Sequence, residues 1–136
     1  MTAVVDRSTW PVVTVSVGEP DDLNTLADEL EVILAEEQPF ALAVLTPQDI
    51  DTLQQMLWAA PDARRRLRHQ RAALAAWCEA TAHVLTPHAH QRITHSALRY
   101  AGLIWGCAAL AARSSEEAAD LLLTRLLERP LPLEGV

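Results

Sequence analysis

The chain has 136 residues, which fits a single domain; half of them are apolar, and its net charge is −7 at pH 7. Its longest apolar run, residues 100 to 112, is shorter than the roughly 20 residues that cross a bilayer, and its overall acidity disfavours non-specific binding to nucleic acid or anionic lipid. We therefore expect neither a membrane nor a nucleic acid as partner. No basic segment followed by an apolar one opens the chain, so the expected location is cytoplasmic.

The first 45 residues show patterns typical of two strands, a helix and a third strand. The β-branched runs "AVVD" and "PVVTVSV" predict a hairpin, and the second run places Val13, Val15 and Val17 on one face of its strand. The segment "DDLNTLADELEVILAEEQ" has apolar residues at helical spacing after an N-cap at Asp21 and an acidic first turn. The wholly apolar "PFALAVL" predicts a strand buried on both faces of a sheet.

The rest of the chain predicts helices that alternate with two further strands. Two helical segments flank Pro61. The run "TAHVLT" predicts a strand, and a helix follows that begins at His88 and ends before Gly106. The run "CAALAAR" predicts a last short strand on element order, although alanine prefers helix. A final helix, "SSEEAADLLLTRLLE", has the capping pair Ser114 and Glu117.

Together these elements predict one α/β domain over residues 1–129 and an irregular tail over residues 130–136. Its mixed sheet should have four or five strands, covered by about four helices. We expect these residues in the sheet: Val13, Val15, Ala43 and Val84. We expect the helices to begin near Asp22, Asp62, His88 and Ser115.

This order of elements resembles that of bacterial STAS-like domains, which are related to anti-sigma-factor antagonists and have been compared with CRAL-TRIO lipid carriers. The resemblance extends from "VVDRSTWPVVTVSV" to "RSSEEAADLLLTRL" and rests on element order. It implies a non-catalytic regulatory or interaction module. The best-known members are phosphorylated on a Ser or Thr where a central strand meets its helix. Here that junction is "FALAVLTPQD", without an Asp-Leu-Ser signature, which makes Thr46 the candidate phosphoacceptor; Thr46 before Pro47 also fits an ordinary helix N-cap.

Charge is distributed unevenly along the chain. Residues 1–62 carry a net charge of −11, residues 63–113 carry +7, and residues 114–136 carry −3. Two basic rows have helical spacing: Arg64, Arg68 and Arg71 on one helix, and His88, Arg92, His95 and Arg99 on the next. Both rows could be solvated faces that pair with the acidic first helix. Alternatively they form a surface for an acidic protein or a small anion, because arginine matches carboxylate geometry.

The clustered histidines raise the question of a metal site. On a regular helix His88 and His95 lie about 10 Å apart along the axis and His90 points away from His88, so we predict no metal site. With four glycines the chain has no phosphate-binding loop or nucleotide fingerprint, and no cofactor is expected. Acid–base catalysis stays an alternative for residues that could meet in space: His83, His90, His95, Glu79 and Asp49.

The cysteines and tryptophans have less specific patterns. Cys78 and Cys107 lack CxxC spacing, so we expect both to stay reduced as small buried groups. Trp10, Trp58 and Trp105 fit either a core or an interface anchor, and the core is the preferred interpretation.

The predicted function is a non-catalytic protein-interaction or regulatory module that uses the basic surface at residues 64 to 71 and 88 to 99. The alternatives are a small enzyme of unknown reaction and a carrier of an apolar ligand. A homo-oligomer is compatible with each. A closed core with a flat basic face favours the module, a deep pocket with convergent histidines and acidic groups favours the enzyme, and a long apolar cavity favours the carrier.

Overall fold

A computed structural model describes residues 4–45, 50–92 and 95–128. Five strands and six helices occur in this part of the chain: β1 (Val5–Asp6), β2 (Val12–Ser16), α1 (Asp22–Ala35), β3 (Phe40–Leu45), α2 (Ile50–Trp58), α3 (Pro61–Trp77), β4 (Cys78–Val84), α4 (Pro87–Arg92), α5 (His95–Trp105), β5 (Ala108–Ala112) and α6 (Ser115–Glu128). The predicted α/β class and mixed sheet are confirmed. The helices outnumber the expected four because the segments before Pro61 and after Pro87 form helices of their own.

The strands lie in the sheet in the same order as in the sequence, β1-β2-β3-β4-β5. β1 is antiparallel to β2, as the hairpin predicts, and β2 to β5 run parallel to one another. Each parallel connection steps across the sheet in the same direction. Because such connections are right-handed, α1, α3 and α5 lie on one face of the sheet. In agreement, α1 contacts α3, and α3 contacts α5.

Large apolar side chains fill the space between the sheet and these helices. The alternation in β2 directs Val13, Val15 and Val17 into this core, as predicted. The apolar stripes that the sequence predicts on α1 and α3 are buried there too, except that Trp77, the last residue of the α3 stripe, is only half-buried against this core. The buried residues are Leu23, Leu26, Leu30, Ile33, Leu34, Ala63, Leu67 and Leu74. Phe40 and Trp105 are the largest fully buried side chains of this layer. The burial of such bulky groups provides the main stabilisation of this face.

The opposite face of the sheet is covered by α6, and alanines dominate the contact. The buried residues of this layer are Val12, Ala41, Ala43, Ala80, Ala82, Ala112, Ala118 and Leu122. The alanine-rich segment Ala108–Ala112 is a strand, as the order of elements predicts. Its pairing with β4 and the cover of α6 outweigh the helix propensity of alanine.

The starts of two helices test the predicted caps. The Glu117 backbone N–H donates to Ser114 Oγ over 3.1 Å, which confirms Ser114 as the cap of α6. Asp21 makes no side-chain cap hydrogen bond at α1. The Asp22 carboxylate instead accepts the backbone N–H groups of two preceding residues, over 2.8 and 3.1 Å. An acidic residue in the first turn of α1 thus provides hydrogen-bond acceptors for the backbone N–H groups of the segment that enters the helix.

Candidate functional site

A pocket opens on the helical layer between α2, α3 and α5. Its volume is about 140 Å³, and it is lined by Leu57, Trp58, Arg64, Leu67, Arg68, Arg71 and Leu103. Leu57 and Leu67 belong to the main core and supply buried apolar surface to the pocket. Trp58 and Leu103 are 65% and 60% exposed. The pocket therefore combines an apolar interior with a cationic wall.

The cationic wall is the arginine row that the sequence predicts on α3. Arg64, Arg68 and Arg71 follow one another at helical spacing, so they project from one side of the helix. Within residues 4–45, 50–92 and 95–128, none of the three forms an ion pair with a carboxylate. Arg64 also has a buried Nη1 without a hydrogen-bond partner. Among the described residues, the row therefore has an unused N–H donor on Arg64 and no acidic partner that neutralises its positive charge.

Other arginines of α3 do have acidic partners. Arg66 pairs with Asp28 and Glu31 of α1, over 2.7 and 3.4 Å. Arg65 pairs with Asp62 over 3.4 Å. Pairing with the acidic first helix therefore accounts for Arg66, on the side of α3 that faces α1. The pocket row lies on another side of the helix and is left without such neutralisation.

Trp58 corrects the expectation that the tryptophans lie in the core. The guanidinium carbon of Arg64 lies 4.4 Å from the centroid of the Trp58 ring, a cation–π contact. Leu57 takes the core position at this end of α2, and the next residue lies about 100° around the helix, which turns Trp58 outward. Trp105 is buried as expected. Trp58 instead holds an arginine at the pocket.

The second predicted row is only partly described. Arg99 is exposed on α5, four residues before Leu103 and hence on the same side of that helix. His88 is exposed on α4. The side chains of Arg92 and His95 lie outside the described residues, as does Thr46, the candidate phosphoacceptor. α3 and α5 lie on one side of the sheet, the arrangement in which their arginines can form one surface.

His83, a candidate for acid–base chemistry, is a core residue. It is fully buried in β4, its Nε2 lies 3.5 Å from Thr81 Oγ1, and its ring lies 6.4 Å from that of Trp105. Its Nδ1 has no hydrogen-bond partner, and burial lowers the pKa of the imidazole to about 4. His88, in contrast, is exposed. Among the residues that the structure describes, no three His, Cys, Asp or Glu side chains converge as a metal site would require.

Sequence reasoning missed the apolar half of the pocket. Leu67 follows the helical stripe of α3 and was expected only in the core. No sequence pattern indicated that Leu57 and Leu103 would line a pocket. In an apolar helix such as α5, the sequence does not show which leucine is exposed. The exposure of Leu103 follows only once the structure shows that Ala101 and Trp105 face inward. The position of the arginines was predictable from spacing, whereas the apolar surface beside them depends on how α2, α3 and α5 meet.

In comparisons with known proteins, no protein-family model, no curated protein and no solved structure matches this chain. In the described segments, no helix has the length and apolar character needed to cross a membrane. Function must therefore be argued from the chemistry of the site.

Proposed function

We propose that the protein is a non-catalytic interaction module that binds an acidic segment of a partner protein in the pocket between α2, α3 and α5. One observation carries the proposal: Arg64, Arg68 and Arg71 share an apolar pocket and have no described acidic partner. Carboxylates of the partner would pair with the arginines. A neighbouring apolar side chain would enter between Leu57 and Leu67.

The size of the pocket favours a side chain over a larger ligand. Its volume of about 140 Å³ is close to that of the roughly 150 Å³ cavity that takes up a benzene ring in another protein. Pockets for drug-sized ligands are several times larger, roughly 300–1,000 Å³. A pocket of this size would accept one leucine or phenylalanine side chain. This pocket is correspondingly too small for a long apolar ligand.

The charge pattern supports an acidic partner. The basic island at residues 63–113 carries +7 in a chain whose total is −7, so the local field at the pocket is opposite to the net charge. Such a surface attracts a complementary acidic segment and discourages association with basic proteins. Trp58 adds a large aromatic contact of the kind enriched at the centres of interfaces.

Two observations weigh against an enzyme. His83 is held neutral in the core, away from the pocket-lining residues, so it is poorly placed to exchange protons with a substrate. In open α/β sheets, ligands bind where the strand order reverses, and the order β1 to β5 contains no reversal. Binding of a partner protein through a helical surface requires neither a histidine that exchanges protons nor a reversal of strand order.

The proposal extends to a STAS-like regulatory domain of the cytoplasm. It is supported by the opening hairpin, the parallel strands that follow and the helices α1, α3 and α5 on one face. Thr46 stays the candidate phosphoacceptor of that proposal, and its modification can be tested by mass spectrometry of protein from the native cell.

A labelled peptide with one phenylalanine between glutamates tests the pocket directly. We expect the wild type to bind it, and Arg68→Glu combined with Arg71→Glu to weaken binding about tenfold or more, because two attractive contacts become repulsive. The loss should shrink between about 0.02 M and about 0.5 M salt, since exposed charges are screened. Calorimetry gives the affinities, and circular dichroism verifies the fold.

The matched control combines Arg65→Glu with Arg113→Glu, two exposed arginines outside the pocket that change the net charge equally. This variant should bind nearly as tightly as the wild type. Equal losses in both double variants would reduce the effect to net charge and contradict the proposal, as would a wild type that does not bind. If an alanine in place of the phenylalanine leaves affinity unchanged, the site recognises anions alone and is no protein-docking pocket.

A further inference from the structure

The two cysteines, 29 positions apart in the sequence, meet where β4 and β5 begin. The Cys107 thiol donates to Cys78 Sγ, with 3.7 Å between the sulfurs. A disulfide requires about 2.05 Å, so bond formation needs an approach of about 1.7 Å. Cys78 lies within paired strand β4, whereas Cys107 precedes β5 and follows Gly106. Cys107 lies outside the strand pairing, so the ladder hydrogen bonds that fix Cys78 do not hold its backbone in place.

The surroundings of the two sulfurs differ. Cys78 is buried in the main core, and Cys107 is partly exposed at its edge. The hydrogen bond that Cys107 shares with Cys78 lowers the pKa of the Cys107 thiol, and the positive charge of Arg125 acts in the same direction, against the effects of burial and of Glu79. The interaction with Cys107, together with burial, raises the pKa of the Cys78 thiol. The thiolate therefore forms on the sulfur that solvent can reach.

Arg125 is a second group that acts on the Cys107 thiol. It projects from α6, and its Nε is buried without a hydrogen-bond partner. A positive charge that lowers the pKa of a partly exposed thiol favours its thiolate form. Neither cysteine has the CxxC spacing that would have indicated this pair in the sequence.

We infer that Cys107 and Cys78 form a peroxide-driven, reversible dithiol–disulfide site, in which Cys107 is oxidised first and Cys78 resolves it. The Cys107 thiolate attacks one oxygen of a hydroperoxide; an S–O bond forms, the O–O bond breaks, and the second oxygen leaves as water or an alcohol after protonation. Cys78 sulfur then attacks the sulfenic sulfur of Cys107. The S–S bond forms, the S–O bond breaks, and a second water leaves with the Cys78 proton.

The overall change converts two thiols and one peroxide into one disulfide and two waters when the peroxide is hydrogen peroxide. Two molecules of a small thiol such as glutathione reverse it: the first attacks the Cys107 sulfur and releases Cys78, and the second attacks the mixed disulfide, releases Cys107 and leaves as glutathione disulfide. This site is separate from the proposed binding pocket, whose lining contains neither cysteine. It also revises the expectation that both thiols act only as apolar groups in a reducing compartment, where transient disulfides serve redox sensing.

Treatment of the reduced full-length protein with a small excess of hydrogen peroxide tests the site. We expect both thiols to be lost to a thiol reagent, the mass of the monomer to fall by about 2 Da, and a Cys78–Cys107 cross-linked peptide to appear. Dithiothreitol should restore both thiols. Unchanged thiols in the folded protein, when the urea-unfolded chain oxidises, would overturn the inference, as would a disulfide between two chains.

Two variants separate the roles of the cysteines. In Cys78→Ser, and in Cys78→Ala should serine disturb the core, peroxide should leave a sulfenic acid on Cys107 that dimedone traps. In Cys107→Ser, Cys78 should stay unlabelled because it is buried. Trapping on Cys78 in preference to Cys107 would overturn the assigned order. Conversion of wild-type Cys107 to the sulfinic acid without a disulfide would exclude Cys78 as the resolving thiol.

Discussion

At the scale of single residues, His83 shows how burial can decide chemistry. The sequence places it among five histidines that could act as bases or ligands, and the structure places it inside the core beside Trp105. Buried Nδ1 of His83 and Nε1 of Trp105 both lack hydrogen-bond partners. Protonation there would bury a charge that nothing compensates. His83 therefore destabilises the fold at low pH.

The pH dependence of stability follows from the sign of this shift. Burial lowers the pKa of His83 from its ordinary value of 6.5 to about 4 in the folded chain. Between these values the unfolded chain binds a proton that the folded chain does not, so stability rises with pH and is lost as pH falls. Relative to His83→Leu, the wild type should lose about 2 kcal/mol between about pH 7 and pH 5, measured by urea unfolding.

Exposed His69 supplies the control for that measurement. His69→Leu removes a histidine that lies in solvent in the folded chain, so it separates the effect of burial from the loss of a histidine as such. If the wild type and His83→Leu differ in free energy of unfolding by the same amount at about pH 7 and at about pH 5, then His83 is solvated or paired in solution, and this explanation is wrong.

At the scale of secondary-structure elements, Gly106 determines how α5 meets α3. It follows α5 with φ of 79°, and a Cβ built on it would lie 2.8 Å from both Cγ and the carbonyl oxygen of Arg71. Glycine is thus required by the backbone conformation and by the close approach of the two elements. Sequence reasoning identified the helix end at Gly106, but the contact with Arg71 is tertiary and had no local signal.

Alanine at this position should be destabilising. Gly106→Ala introduces a strained left-handed residue and a clash with backbone, so we expect a loss of about 2 kcal/mol or more in the free energy of unfolding. Gly18→Ala is the matched control because its added Cβ would meet only Asp22 Oδ2 at 3.6 Å, an ordinary contact. It should change stability by less than about 1 kcal/mol. Equal effects of the two variants in denaturant titrations would contradict this explanation.

At the scale of the whole molecule, the two faces of the sheet are packed differently. Bulky side chains separate the sheet from α1 and α3, whereas alanines separate it from α6. Ala82→Leu should overfill the alanine layer and cost about 1–3 kcal/mol. The same substitution at exposed Ala108 of β5 should cost less than about 1 kcal/mol. Calorimetric melting of both variants measures the difference, and a harmless Ala82→Leu would show that α6 is free to move outward.

Much of this architecture could be predicted because local patterns agree with it. The alternation in β2, the leucines of α1 and the cap at Ser114 each describe a short segment, and each is confirmed. The site was less predictable. Which arginines of α3 are neutralised depends on α1 lying along one side of that helix, so Arg66 finds Asp28 while Arg68 does not. Likewise, Cys78 and Cys107 become neighbours only through the pairing of β4 with β5.

The sequential strand order has a consequence for synthesis on the ribosome. Each strand from β2 to β5 pairs with the strand made just before it, so the sheet can extend from β1 to β5 as the chain emerges. The helices on the first face lie between those strands and can dock along with them. α6 is made after all five of these strands, yet it contacts β2, β3, β4 and β5. Until it is released, the alanine face of a nearly complete sheet stays uncovered, and a nascent chain stalled before Ser115 would expose it to chaperones.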